Sequence, residues 1–248
     1  MSEQIHDLGA GFWNIRGSFR IGGVVNIGTH CSLVKLSSGR FIFLDSYALT
    51  GDVRDEVMAL TNNGQDVEAV LNVHPFHTVH CAQMAKDFPQ AIFYGSSRHR
   101  KKVPEVSWAD DLVESDAVAE RYPELKFSMS EGIAYISSNE MIHAGSLLAY
   151  HPASQSLHVD DTFMSPPMKL LEAVLPELIL HPTTKKALKN EPNAGKHYCD
   201  WAEALAHEWR DVRNFCAAHS YLVQFKEGGF EKALVKAIKK ARPKLETA

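Results

Sequence analysis

Three histidines recur at every third position in the segment His74-Pro75-Phe76-His77-Thr78-Val79-His80. Neutral imidazole is the commonest metal ligand in proteins, and a catalytic zinc site needs about three protein ligands with one position left open. A loop can turn several such rings towards one point, so the spacing is compatible with a metal site. The spacing alone leaves a second interpretation open, a loop of stacked or solvent-exposed histidines that Pro75 stiffens.

The elements around this segment are predicted to place the histidines at the end of a strand. Residues 67–73 form an apolar run that leads directly into His74 and is typical of a buried strand. Thr78 is predicted to cap a helix that continues to residue 86, and residues 91–94 follow as a short strand. This order resembles a βαβ unit, in which functional side chains collect where the strands end.

Further strands and helices are predicted in both halves of the chain. Residues 31–36 and 41–44 form a hairpin, and its second strand ends at Asp45. The other predicted elements are a helix over 52–60, loops with one helix over 98–124, strands over 133–136, 146–150 and 157–159, and helices over 168–180, 198–216 and 230–241. Because no repeat, low-complexity tract or long linker interrupts the sequence, we expect a single domain over residues 1–248.

Composition narrows the classes of protein to consider. The 248 residues include 45% hydrophobic and 23% charged side chains and carry a formal net charge of −4. This balance is typical of a globular protein and argues against a nucleic-acid partner. The polar first residues do not resemble a secretory signal, and no apolar run approaches the roughly 20 residues that span a bilayer. Four scattered cysteines without a CxxC pair favour reduced thiols in the cytoplasm.

Five landmarks in the sequence together resemble the metallo-β-lactamase superfamily, over roughly residues 30–220. One is a hairpin that ends in an aspartate, one is the histidine segment, and one is a histidine before a Gly-Ser pair. The last two are an aspartate before a threonine and a histidine near the C-terminal part of the chain, predicted to follow a helix. In order, these landmarks lie in residues 33–45, 70–80, 139–146, 157–163 and 215–219.

The resemblance implies a fold and a set of ligands. The fold is an α/β (α+β) protein of the four-layer αββα sandwich type. Carried over residue by residue, the resemblance assigns one metal ion to His74, His77 and His143. A second ion takes His80 and His219, and Asp161 bridges the two.

The histidine segment departs from the family's pattern. It contains HxxHxxH in place of HxHxDH, and Val79 stands where the signature has an aspartate. A valine neither binds a metal nor positions a water molecule, so one ion is expected more than two. Asp161 is then the best remaining carboxylate to orient an attacking water and accept its proton.

The resemblance implies a metal-dependent hydrolase of a small ester, thioester, amide or phosphoester, with zinc as the metal. Two alternatives stay open: an iron-dependent oxidoreductase on the same fold, and a degenerate member that binds a ligand or partner without catalysis. The expected partner is a small-molecule substrate, with neither nucleic acid nor membrane involved, and the oligomeric state is left open.

Two other features are given no part in this site. His181 precedes Pro182 in a predicted loop and is a remote candidate for a substrate contact. The basic run Arg98-His-Arg-Lys-Lys102 is expected to be a solvated surface, with an acidic or phosphorylated substrate as the alternative.

Overall fold

A computed structural model of the chain describes residues 3–21, 25–165, 177–219 and 221–247. The chain divides into two compact units, Met1–Lys126 and Phe127–Ala248, and each is described by itself.

The first unit is a six-stranded sheet with four helices in its described part. The sheet has the order β1-β2-β5-β6-β7-β8, antiparallel from β1 to β6 and parallel from β6 to β8. Its strands are β1 (Gln4–Asp7), β2 (Phe12–Gly17), β5 (Thr29–Lys35), β6 (Phe41–Leu44), β7 (Val67–Leu71) and β8 (Ile92–Tyr94), and β3 (Arg20–Ile21) pairs separately with β4 (Val25–Asn26). The helices are α1 (Gly51–Leu60), α2 (Cys81–Asp87), α3 (Ser97–Lys102) and α4 (Asp116–Arg121).

Helices α1 and α2 cover one face of this sheet. Val53 and Val57 of α1 and Met84 of α2 pack into one apolar cluster with strand residues such as Leu33 and Phe43. All four residues of β6 are buried, as are all but one of β7. Residues buried on both faces of a strand favour continuous apolar sequence, which is what the sequence shows here.

The second unit contains a five-stranded sheet with the order β15-β14-β11-β10-β9 and a separate ribbon of β12 and β13. Strands β11 and β14 are parallel, and β10 and β15 run antiparallel to their neighbours β11 and β14. The elements are β9 (Lys126–Met129), β10 (Leu147–His151), β11 (Ser156–Val159), β12 (Phe163–Met164), β13 (Ile179–Leu180), β14 (Asn214–Ala217), β15 (Val223–Gln224), α5 (Thr184–Ala187), α6 (Ala194–Glu208) and α7 (Gly229–Leu245).

Helices α6 and α7 bury their apolar faces in the core of the second unit. Tyr198, Ala202 and Leu205 of α6 recur at helical spacing and are buried, and Leu234 and Ile238 of α7 do the same. Together these side chains form one cluster with residues of β10, β11 and β14.

Most predicted strands are confirmed to within a few residues: those at 31–36, 41–44, 67–73, 91–94, 146–150 and 157–159. The helices predicted over 52–60 and 230–241 are confirmed as α1 and α7. Of the helix predicted over 168–180, residues 168–176 lie outside the described part of the chain, and Ile179 and Leu180 form β13 instead.

Three predictions about elements are wrong. Helix α2 begins at Cys81, with His80 at the N-cap, so Thr78 does not cap it. Residues 133–136 form no strand, and Ile133 makes only an isolated bridge to Leu188. The segment 98–124 holds two short helices, α3 and α4, where one was expected.

The helix predicted over 198–216 is also wrong at its C-terminal end. Helix α6 ends at Glu208, and residues 214–217 form strand β14, all four of them buried. A short buried strand is uniformly apolar, and periodicity alone does not distinguish it from the end of a buried helix. His219 therefore follows a strand, not a helix.

Within the residues described, no helix is both long and apolar enough to cross a membrane.

Gly132 offers a test of the packing in the second unit. Its φ is +68°, and a Cβ there would lie 2.0 Å from the carbonyl oxygen of Ala194 at the start of α6. We expect Gly132→Ala to lower the free energy of unfolding by about 2–5 kcal/mol, because left-handed strain and overpacking add. Urea unfolding followed by circular dichroism measures the change.

Gly228 provides the matched control, since its φ is +67° and a Cβ there meets nothing within 4 Å. Gly228→Ala carries the backbone strain alone, about 1–2 kcal/mol. Equal losses in the two variants would contradict the packing described around Gly132.

Candidate metal centre

Asp45 anchors the start of the histidine segment in the first unit. This residue follows β6 with a φ of +63°, a left-handed conformation that aspartate tolerates better than most residues. Its buried Oδ1 accepts the amide of Val73 at 2.8 Å, and its own amide donates to the carbonyl of Leu71. Asp45 thus ties the end of β6 to the residues that lead from β7 into His74.

His74 and His77 form a stacked pair beyond β7. Their ring centroids are 4.1 Å apart, and Nδ1 of His77 lies 4.0 Å from Oδ2 of Asp45. His74 is fully buried, and its Nδ1 accepts the amide of Phe76 at 3.2 Å. The turn of the loop therefore brings two of the three histidines of the segment together.

His80 occupies a different position, at the N-cap of α2. Its ring meets that of Tyr47 edge-on, with centroids 5.1 Å apart, and its Nε2 is buried without a hydrogen-bond partner among the described residues. Burial lowers the pKa of His80, and the neighbouring His77 lowers it further. A neutral imidazole is the form that ligates a metal.

Helix α3 supports the histidine segment, a role that the basic sequence of this helix does not indicate. Arg98 donates a hydrogen bond to the carbonyl of Pro75 at 3.0 Å, and its guanidinium lies over the ring of Phe76 at 4.2 Å. His99 is fully buried, and its Nδ1 accepts the amide of Ser96 in a capping box. The basic run is therefore only partly a solvated surface.

In the second unit, Asp161 and His219 stand at the ends of neighbouring strands. Strands β11 and β14 are parallel and pair Val159 with Ala217. Asp161 and His219 each follow two residues after that pair, so both emerge from the same edge of the sheet. The carboxyl ends of parallel strands are where α/β proteins build their sites.

His143 reaches the same carboxylate from the segment before β10. Its Nδ1 lies 2.8 Å from Oδ2 of Asp161, and Nε2 of His219 lies 3.5 Å from Oδ1. Asp161 itself is fully buried. The predicted ligands His143 and His219 thus each lie beside the Asp161 carboxylate, on different oxygens of it.

Two hydrogen bonds fix the segment that carries His143. The amide of Ser146 donates to Oγ1 of Thr162 at 3.1 Å, and the two hydroxyl oxygens are 2.8 Å apart. Thr162 directly follows Asp161, so this contact sets the approach of the His143 segment to the carboxylate.

His181 joins this group, although from the sequence it is only a remote candidate for a substrate contact and not a metal ligand. Its ring centroid is 5.1 Å from that of His143, and its Nδ1 lies 2.8 Å from Oγ1 of Thr183. Burial lowers the pKa of His181, while Asp161 opposes that effect. Histidine followed by proline at the end of a short apolar run was the only signal in the sequence.

The donor atoms around Asp161 fit a metal ion. One ligand atom each from His143, Asp161 and His181 can be chosen so that all three lie within 4.8 Å of one another. Two imidazoles and a carboxylate suit both Zn²⁺ and Fe²⁺. Of the six predicted ligands, the structure brings His74 and His77 together in the first unit and His143, Asp161 and His219 together in the second.

Comparisons with known proteins bear on the fold. No protein-family model and no curated protein matches the chain. Solved structures that resemble it include a metallo-β-lactamase from Erythrobacter litoralis with β-mercaptoethanol in its active site (12% identity, 96% of each chain, TM-score 0.64). Another is the metallo-β-lactamase FIM-1 from Pseudomonas aeruginosa in its mono-zinc form (9% identity, 98% of this chain and 97% of that one, TM-score 0.63).

A metallo-β-lactamase from Hirschia baltica is similar to the same extent (10% identity, 97% of each chain, TM-score 0.60). The chain therefore has the metallo-β-lactamase fold, and the fold prediction is confirmed. Identities near 10% establish the fold alone, since one fold hosts many reactions.

His99 makes the stability of the first unit depend on pH. Burial lowers the pKa of His99 to about 4, although Asp45 partly opposes this. The ordinary value in an unfolded chain is about 6.5, so the stabilisation is complete above pH 6.5 and is lost as pH falls towards 4. The unfolded chain takes up the proton first.

We expect His99→Gln to remove this part of the acid sensitivity. Glutamine at the third helical position still accepts the amide of Ser96 but does not titrate. Between pH 7 and 4 the wild type should lose on the order of 3 kcal/mol more stability than the variant, by urea unfolding at each pH. If the free energies of unfolding of the wild type and of His99→Gln change in parallel with pH, His99 is not buried in its neutral form.

Proposed function

We propose that this chain is a metal-dependent hydrolase of the metallo-β-lactamase superfamily, acting on a small ester, thioester, amide or phosphoester. One observation supports the proposal above all. The fully buried carboxylate of Asp161 lies 2.8 Å from Nδ1 of His143 and 3.5 Å from Nε2 of His219. Asp161 and His219 follow two neighbouring parallel strands.

The ligands proposed for the metal come from both sets of histidines. His74, His77 and His143 would hold one zinc ion, and Asp161 would contact it as well. His80 and His219 would serve a second, weaker position, because Val79 supplies no carboxylate and its side chain is 68% exposed. When bound, zinc polarises a substrate oxygen and lowers the pKa of a water molecule towards 7.

The protein's own part in the reaction falls to Asp161 and its neighbours. A buried carboxylate is a good proton acceptor when a partner fixes its orientation, and His143 does so through Nδ1. Asp161 would thus orient the attacking water and take its proton. Arg98 would keep the histidine loop in place through its contacts with Pro75 and Phe76.

An iron-dependent oxidoreductase is the second candidate function. The group His143, Asp161 and His181 has two imidazoles and one carboxylate, which is the donor set of many non-haem iron enzymes. The third candidate is a binding protein without catalysis, and the valine at position 79 is the feature that favours it.

We also propose a cytoplasmic protein whose partner is a small molecule and not nucleic acid or a membrane. The four cysteines are all buried and free, in keeping with a reducing compartment. The net charge of −4 does not favour nucleic acid.

Metal analysis with substrate assays tests the proposal. We expect about one zinc ion per chain and metal-dependent hydrolysis in a panel of p-nitrophenyl esters, a thioester, a chromogenic cephalosporin and a phosphodiester. Asp161→Asn should lower the rate roughly 100-fold or more, because it removes the proton acceptor.

Asp111→Asn is the control, since Asp111 is exposed in the first unit and should leave the rate unchanged. Bound iron with oxygen consumption would favour the oxidoreductase instead. A wild-type protein that takes up no metal on reconstitution would leave only the binding protein.

A further inference from the structure

We infer that His181 is a metal ligand and that, with His143 and Asp161, it lets residues 127–248 hold one ion by themselves. This inference rests on the proposed metal site and adds a ligand that the resemblance to the metallo-β-lactamases does not supply. The ligand atoms of these three side chains lie within 4.8 Å of one another.

A short ribbon places His181 beside Asp161. Strands β12 and β13 are antiparallel and pair Phe163 with Leu180. His181 follows Leu180 directly, and Asp161 comes two residues before Phe163, so the pairing carries both to the same end of the ribbon. Phe163 is fully buried and stacks on Trp201 at 5.7 Å, which fixes the ribbon to helix α6.

The spacing of the donors is close to what a zinc ion needs. Tetrahedral ligands at 2.0–2.1 Å from zinc stand roughly 3.4 Å from one another. Nδ1 of His143 lies 2.8 Å from Oδ2 of Asp161, and the ligand atoms of His143, Asp161 and His181 all lie within 4.8 Å of one another. Small changes of side-chain torsion would therefore bring the donors to ligand distances.

The contacts of His181 with Thr183 involve Nδ1, so Nε2 is the nitrogen that would bind a metal. Nδ1 lies 2.8 Å from Oγ1 and 3.2 Å from the amide of Thr183, so Nε2 is the donor atom that remains. In the structure the amide of Thr183 donates to Nδ1, so ligation through Nε2 would move the ring proton to Nδ1, where Oγ1 of Thr183 can accept it in place of the bond from the amide. Ligating histidines commonly have such a second partner, which fixes the ring orientation.

The donor count also favours a ligand at this position. The histidine segment of the first unit has Val79 where the family's signature supplies a carboxylate. His143, Asp161 and His181 together offer three donors with a single negative charge, which suits one divalent ion with an open position. Nε2 of His219 lies 3.5 Å from Oδ1 of Asp161, beside the same carboxylate.

Zinc affinity of the full chain tests the inference. Chelator competition gives the zinc Kd, and Co²⁺ titration gives the visible absorption bands that report coordination. We expect His181→Gln to weaken zinc binding roughly 100-fold and to change the Co²⁺ spectrum, since even the loss of an outer partner costs about 10–100-fold.

His151→Gln is the matched control. Nδ1 of His151 also lies 2.8 Å from a hydroxyl oxygen, that of Ser154, and it belongs to the second unit as well, on β10. This variant should keep the wild-type Kd. A folded His181→Gln protein with the wild-type Kd and spectrum would overturn the inference.

Thr183→Val is a milder variant for the case in which His181→Gln does not fold. It removes the hydroxyl that orients His181 and should weaken zinc binding roughly 10-fold. Unchanged zinc affinity in Thr183→Val would count against His181 as a ligand.

A double variant, His74→Ala with His77→Ala, separates this inference from the proposed function. If the double variant still binds zinc, more weakly than the wild type, and the further substitution His181→Gln removes that binding, the second unit holds the ion as inferred. If the double variant loses all zinc while His181→Gln keeps it, the inference is wrong and the proposed metal site survives. A wild type that binds no zinc would overturn both.

Discussion

The burial of the Asp161 carboxylate is the constraint on which the second unit's site depends. An ionised carboxylate removed from water is costly unless cationic or hydrogen-bonding partners surround it. His143 and His219 come from separate segments to meet Asp161, and His181 joins them from the ribbon. Strand pairings place His219 and His181 beside Asp161, and the hydrogen bonds between Ser146 and Thr162 hold the segment that carries His143.

The first unit also buries a carboxylate, that of Asp45. That buried carboxylate also follows a strand, and it adopts a left-handed backbone to accept the amide of Val73. The stacked pair His74 and His77 begins directly beyond this contact, and Arg98 donates a hydrogen bond to Pro75 in the intervening turn. In both units a buried carboxylate follows a strand and lies close to histidine rings: Asp45 near His77, and Asp161 near His143 and His219.

The sequence predicted the strands that carry these groups, because the buried strand β6 is continuously apolar and β7 is interrupted only by Glu68. The resemblance to the metallo-β-lactamase superfamily pointed to Asp161 and His219, although it placed His219 after a helix and not after strand β14. The sequence missed His181, whose position depends on the pairing of Phe163 with Leu180 across a gap of 16 residues, which no local pattern records. The basic run around His99 predicted a solvated surface, but the ring of His99 is fully buried. The helix predicted over 198–216 wrongly included the residues of the buried strand β14.

Anomalous diffraction at the zinc edge from crystals of the zinc-loaded chain tests the central claim most directly. A buried carboxylate that organises a metal site predicts a dominant zinc peak roughly 2.0–2.1 Å from an oxygen of Asp161 and from nitrogens of His143 and His181. A zinc peak with no ligand from Asp161, or no peak in the presence of saturating zinc, would contradict it.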